Sequence, residues 1–133
     1  MDHAKNPRHE GVLEHADVVM PGGSPECGGS VVVHLKGEDG RISGLSFTGQ
    51  GDTISMGAAS MAMQLVHDED LSMDEVLDLD YDAFIDRVGR EAVGSRTRNA
   101  TMGLSALKAA VRKYQKDLIR GASRAEAPAR KAG

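Results

Sequence analysis

The chain has 133 residues, a net charge of −4 and one cysteine. That length suits one domain with a core of its own, and the single thiol excludes an internal disulfide. The acidic balance argues against a nucleic-acid binder, and 3% aromatics against 40% hydrophobics require an aliphatic core in which the seven methionines fill gaps.

Residues 1–11 are polar and carry the turn signal Asn6-Pro7. Asp17-Val18-Val19-Met20 reads as a first strand, and residues 21–30 (PGGSPECGGS) as a loop. Residues 31–36 are β-branched and read as a second strand. Asp39-Gly40 is a strong two-residue hairpin signal, with residues 41–48 as the returning strand. Ile42 falls out of step with Leu45 and Phe47, and Gly44 marks a bulge that corrects it.

The period then changes. Asp52 or Thr53 caps a helix over residues 54–66, with Ile54, Ala58, Met61 and Leu65 on one face. Ser72-Met73-Asp74-Glu75 has the form of a capping box that opens a short helix. Residues 81–88 form another, ended by Gly89 or Gly94. Ala100, Leu104, Leu107, Val111, Tyr114 and Leu118 make the apolar stripe of a long last helix, which Gly121 stops. Strands first and helices after predict an α+β fold: a small three-stranded antiparallel sheet with helices packed on one face. One domain over residues 1–121 and a disordered tail over 122–133 are expected. No run of apolar residues is long enough to span a bilayer, and the N-terminus has no leader pattern, so a cytoplasmic protein without a membrane or nucleic-acid partner is expected.

Few residues offer chemistry. Cys27 sits in a glycine-framed loop; a free cysteine is commonly a small buried residue, and a catalytic thiol needs a base that only a distant residue such as His34 could supply. Gly49-Gln50-Gly51-Asp52 leads into a helix, but Ile54 stands where the dinucleotide fingerprint needs glycine, and Asp52 would repel a phosphate. Asp52 is instead a good N-cap, or a hard oxygen ligand for a metal. His9 and His15 are too far apart for a zincin pair, and His67 with residues 68–70 reads as a solvated helix end. Arg96-Thr97-Arg98 is ordinary solvated charge or a site for an anion or an acidic partner.

These features fall in a recognisable order. Asn6-Pro7-Arg8-His9-Glu10-Gly11-Val12-Leu13, Cys27-Gly28-Gly29, Phe47-Thr48-Gly49-Gln50-Gly51-Asp52-Thr53-Ile54-Ser55 with the following Ala58-Ala59-Ser60-Met61, and Arg96-Thr97-Arg98-Asn99-Ala100-Thr101-Met102 together resemble the iron–sulfur cluster assembly scaffolds of IscU, SufU and NifU N-terminal type. The resemblance covers about residues 3–120. It implies a short N-terminal helix and a site in which three cysteines and an aspartate hold zinc or a nascent cluster. Position by position, Cys27 is kept, Gly29 replaces the aspartate, Asp52 the second cysteine and Asn99 the third.

What the resemblance implies is therefore divided. Thiolates suit iron–sulfur chemistry because they are soft and anionic and bridge to iron. One thiolate, one carboxylate and one neutral amide make a poor cage, and Asn99 has no sulfur with which to carry a persulfide. The first expectation is a non-enzymatic iron–sulfur cluster assembly protein with weakened or altered binding of iron, zinc or a cluster through Cys27, with Asp52 and Asn99 at the other family positions. A homodimer pooling Cys27 from two chains, or ligands from a partner, would support such binding. The alternative is a non-catalytic paralogue that acts as an interaction partner of a cysteine desulfurase. The separation of Cys27 and Asp52 would decide whether they can share an ion.

Overall fold

The structure is a computed structural model that describes residue 11 and residues 13–24, 29–38 and 40–126. Three strands come first: β1 (Val18–Ser24), β2 (Gly29–Glu38) and β3 (Arg41–Gln50). They form one antiparallel sheet in the order β1-β2-β3. The β2–β3 hairpin turns at Gly40, whose φ of 78° is a backbone state that favours glycine. Register shifts between Lys36 and Gly37, where the opposing residue jumps from Gly44 to Ile42. Ser43 is thus the extra residue of a bulge next to Gly44, as the broken alternation of β3 requires.

The boundary of β1 differs most from expectation among the strands, and β2 and β3 each extend two residues beyond theirs, β2 at both ends. β1 runs through Pro21, Gly22 and Gly23, which sequence composition assigns to a loop. An edge strand tolerates proline because its outer N–H groups need no strand partner. The glycine has a packing reason as well: a Cβ on Gly22 would stand 2.8 Å from Ala106 Cβ, so the missing side chain lets β1 lie close against the last helix.

Five helices follow: α1 (Thr53–Glu69), α2 (Met73–Leu77), α3 (Tyr81–Val88), α4 (Arg90–Val93) and α5 (Thr97–Glu126). Their caps are local and explicit. Asp52 caps α1, and Ser72 with Glu75 completes the capping box of α2. Asp80 caps α3, which Gly89 ends. The single turn α4, bracketed by Gly89 and Gly94, has no sequence signal strong enough to announce it. α1 ends on Asp70 in a left-handed conformation, held by Arg41 through both the Asp70 carbonyl and carboxylate, each at 2.8 Å. His67 and residues 68–70 are exposed, as a solvated helix end should be.

The core lies between the sheet and the helices. Val31, Val33 and Leu35 of β2 and Phe47 of β3 are fully buried against Met63 of α1 and Leu104, Leu107 and Val111 of α5. The α5 stripe holds through Tyr114, which is half-buried, and then runs past the sheet, leaving Leu118 57% exposed. The helix continues through Gly121 to Glu126, into the segment expected to be a tail. One glycine costs a helix only about 1 kcal/mol, and Ala122, Arg124, Ala125 and Glu126 are good or adequate helix formers. Lys108 is buried, with its ammonium donating to the carbonyls of Leu77 (3.2 Å) and Leu79 and lying 4.5 Å from the Tyr81 ring centroid. It ties the α2–α3 connection to α5, and desolvation pulls its pKa below the ordinary lysine value. Among the described residues, no helix is long and apolar enough to cross a membrane.

Candidate functional site

The site starts from two helix N-termini that meet. Asp52 precedes α1 in an extended conformation, with φ −79° and ψ 176°, as an N-cap requires. Its Oδ1 accepts from the Ser55 backbone N–H at 2.7 Å. Its Oδ2 faces the first turn of α5, where the Asn99 amide donates to it at 3.2 Å. The same amide nitrogen lies 3.3 Å from the Ser55 hydroxyl, which is fully buried. Arg96, just before α5, places a guanidinium nitrogen 4.0 Å from Oδ2.

The physical causes are legible. Partial burial by itself would raise the Asp52 carboxyl. The Ser55 backbone and hydroxyl and the Arg96 charge outweigh it, so the pKa sits below the usual 3.8. The positive ends of α1 and α5 favour the same anion. A group whose folded pKa is depressed adds stability above its unfolded pKa and loses that contribution as pH falls through the folded value. Asp52→Asn keeps a competent cap but removes the charge. Urea midpoints measured between pH 2 and 7 should therefore fall less steeply below about pH 4 in the variant than in the parent. Parallel acid limbs would show that the carboxylate is not specifically stabilised.

Sequence reasoning placed a carboxylate at 52 and an amide at 99, and the fold brings them into hydrogen-bond contact across 47 positions of chain. Asp52 caps α1 through one oxygen, while the other meets Asn99 and Arg96. Gly29, at the start of β2, lies against Gln50 and Gly51, just before Asp52. A Cβ there would stand 2.7 Å from the Gln50 carbonyl oxygen and 2.8 Å from Gly51 Cα, so the strand entry leaves no room for the family's aspartate without a backbone shift. Cys27 lies outside the described residues, as does the segment 1–10 expected to form a helix. His34 sits on β2 with 6% exposure, its Nε2 3.4 Å from the Thr48 hydroxyl, and alternates with the helix-facing residues Val33 and Leu35.

Ser55 and Arg96 complete the surroundings of Asp52. The spacing Asp52-x-x-Ser55 is a capping spacing and points to Ser55; no local signal ties Arg96 to residue 52.

As a metal site the described donors fit poorly. The Asn99 Nδ2 turns its hydrogens toward Asp52, and an amide N–H is a donor, not a ligand. A cluster or structural zinc ion asks for several thiolate or imidazole ligands. Among the described residues, no group of three or more His, Cys, Asp or Glu side chains is placed to hold a metal ion.

Residues 1–120 match the family model described as the NifU-like N-terminal domain. The chain is 33% identical over 130 residues to the zinc-dependent sulfurtransferase SufU of Bacillus subtilis, covering 86% of this chain and 88% of that one. It is 32% identical over 88 residues to the iron–sulfur cluster assembly scaffold protein IscU 1 of Archaeoglobus fulgidus, covering 66% of this chain and 56% of that one. The fold matches a nitrogen-fixing NifU-like protein (N-terminal) from Brucella abortus with a TM-score of 0.61 at 18% identity, over 86% of this chain and 90% of that one. With the family model matching residues 1–120 and the three-stranded sheet and glycine turn into α1 in the family order, this chain belongs to the NifU-like N-terminal domain family, which includes the SufU and IscU scaffold proteins.

Proposed function

We propose that this chain works in iron–sulfur cluster assembly as a scaffold-family protein whose own hold on iron or a cluster is weakened. The observation that carries the reading is the Asp52–Asn99–Ser55–Arg96 cluster. Where the family motif has thiolates, this chain has a carboxylate and an amide whose polar atoms are turned toward each other, with a cation balancing the charge. Such a cluster is satisfied without a metal, and opening it to receive one would break the hydrogen bonds among Asp52, Asn99 and the buried Ser55 hydroxyl. Asn99 stands at the position of the family's sulfur-accepting cysteine, so in this reading the chain does not turn over sulfur as an enzyme does. It meets a cysteine desulfurase in the cytoplasm and contributes to the process through that encounter.

Anaerobic reconstitution with ferrous iron and sulfide, alongside a titration with a cysteine desulfurase, tests this. The expected result is a chromophore far below one cluster per chain, abolished in Cys27→Ala, together with micromolar desulfurase binding. A full cluster per chain overturns the weakened-binding reading. Absence of both chromophore and desulfurase binding overturns the role in assembly. A second variant probes the geometry directly: Asp52→Cys with Asn99→Cys restores thiols at the two positions now in contact and should bind about one equivalent of zinc, read by chelator competition. If the double variant is no better than the parent, the three positions do not form one site.

A further inference from the structure

The outer side of α5 carries a feature that the cluster-assembly reading does not use. Between Thr97 and Lys116 the helix has five basic residues and no acidic one, in a chain whose net charge is −4. Lys108 is turned inward to Leu77 and Leu79, and the other four, Arg98, Arg112, Lys113 and Lys116, are exposed. Lys113 pairs with Asp117 at 3.0 Å, whereas Arg98, Arg112 and Lys116 make no ion pair among the described residues.

Arg98 lines one depression on this side of α5, and the other three cations line a neighbouring one. A cleft of about 270 Å³ runs between the edge strand β1 and α5, floored by Gly22, Gly23, Ser105, Ala106 and Ala109, with Arg98 at one end. A second concavity of about 420 Å³ on α5 shares Ala109 and is lined by Arg112, Lys113, Lys116 and Asp117, the last paired with Lys113. At 1.5 Å of rise per residue, Arg98 and Lys116 stand about 27 Å apart along the helix, the length of roughly eight extended residues. Among the described residues β1 pairs with β2 alone, and no other described strand covers its outer edge.

We propose that this cleft and the concavity beside it form a docking site for an extended acidic segment of a partner protein, laid along β1 with its carboxylates on Arg98 at one end and on Arg112 and Lys116 at the other. Charge complementarity selects the sign of the occupant. The floor of small residues and the open edge of β1 suit an extended peptide whose backbone lies close against the strand. The chain's negative total charge and the absence of an exposed aromatic platform beside these cations disfavour a nucleic acid. The proposal stands apart from the site at Asp52 and holds whether or not the chain binds a cluster.

The test is fluorescence anisotropy of the full chain with a labelled twelve-residue peptide of alternating glutamate and valine, against a lysine–valine control. The expected result is saturable binding of the acidic peptide only, weakened at higher salt and reduced about tenfold or more in the triple variant Arg98→Glu, Arg112→Glu, Lys116→Glu. Ser105→Trp, which fills the floor without changing charge, should lower binding as well. Circular dichroism confirms that both variants are folded. No binding of the acidic peptide, equal binding by the triple variant, or an unchanged affinity in Ser105→Trp overturns the proposal. Tighter binding of a single-stranded oligonucleotide or of phosphatidylserine vesicles than of the peptide overturns it too.

Discussion

Leu107→Ala should lower the stability of this protein by about 2–5 kcal/mol, the range for truncating a leucine at a site that cannot collapse. Leu107 is 0% exposed at the centre of the α5 stripe, and the surrounding core residues, Val33, Leu35 and Phe47 among them, are also at zero exposure. The sheet and α5 are both held elsewhere along their lengths, so the void left by the lost methyl groups stays largely open. Lost transfer energy and lost dispersion contacts then add. A chemical denaturation curve followed by circular dichroism measures this. The midpoint should fall with little change in slope, since the same surface is exposed on unfolding. A midpoint equal to the parent's would mean that the stripe does not face the core.

Gly103→Leu should cost about 3 kcal/mol, the upper part of the overpacking range. Gly103 lies where α5 crosses α1: a Cβ there would stand 2.7 Å from both the Cα and the Cβ of Ala59. One of those atoms is backbone, so a rotamer change cannot relieve the clash, and the helices must separate. The helix-propensity gain from removing a glycine, about 1 kcal/mol, offsets only part of this. The displacement also reaches the site, because Asn99 is one turn from Gly103 and donates to Asp52 across the same crossing. The substitution should therefore lower the thermal midpoint and make acid unfolding less dependent on Asp52. Ala59→Gly removes the Cβ but not the Cα from the contact, so it should restore part of the loss in the double variant and none of it in the parent. If Gly103→Leu is as stable as the parent, α1 and α5 do not cross at this glycine.

The two substitutions show which parts of the molecule a sequence can reveal. Leu107 was legible because an apolar stripe with spacings of three and four depends only on the helix's own period. Gly103 was not, because nothing within a few residues of it says that Ala59 will lie against it. The same division holds for the site. Asp52 as a cap follows from its position before an apolar helix. Its contact with Asn99 and Arg96 needs the N-termini of α1 and α5 to be brought together, which requires α5 to cross both α1 and the sheet. β1 gives the opposite kind of mismatch. Pro21 and the two glycines after it carry strong loop signals, yet an unpaired edge and a close approach to Ala106 make a strand the better packed state. At the far end, the glycine stop at residue 121 was overridden by the helix formers that follow it.

By itself the amino-acid sequence determined the order of strands and helices, the hairpin at Gly40, the caps at Asp52 and Ser72, the apolar face of the last helix and the family motifs. All of these rest on interactions within about four residues or on a repeating period. The tertiary structure alone decided that Asp52 and Asn99 touch, that Arg96 balances them, that residue 29 has no space for a side chain, and that Arg98 stands at a cleft between β1 and α5. Those facts depend on which surfaces meet when the helices close over the sheet, and chain-distant contacts of that kind are fixed by packing rather than by any local preference.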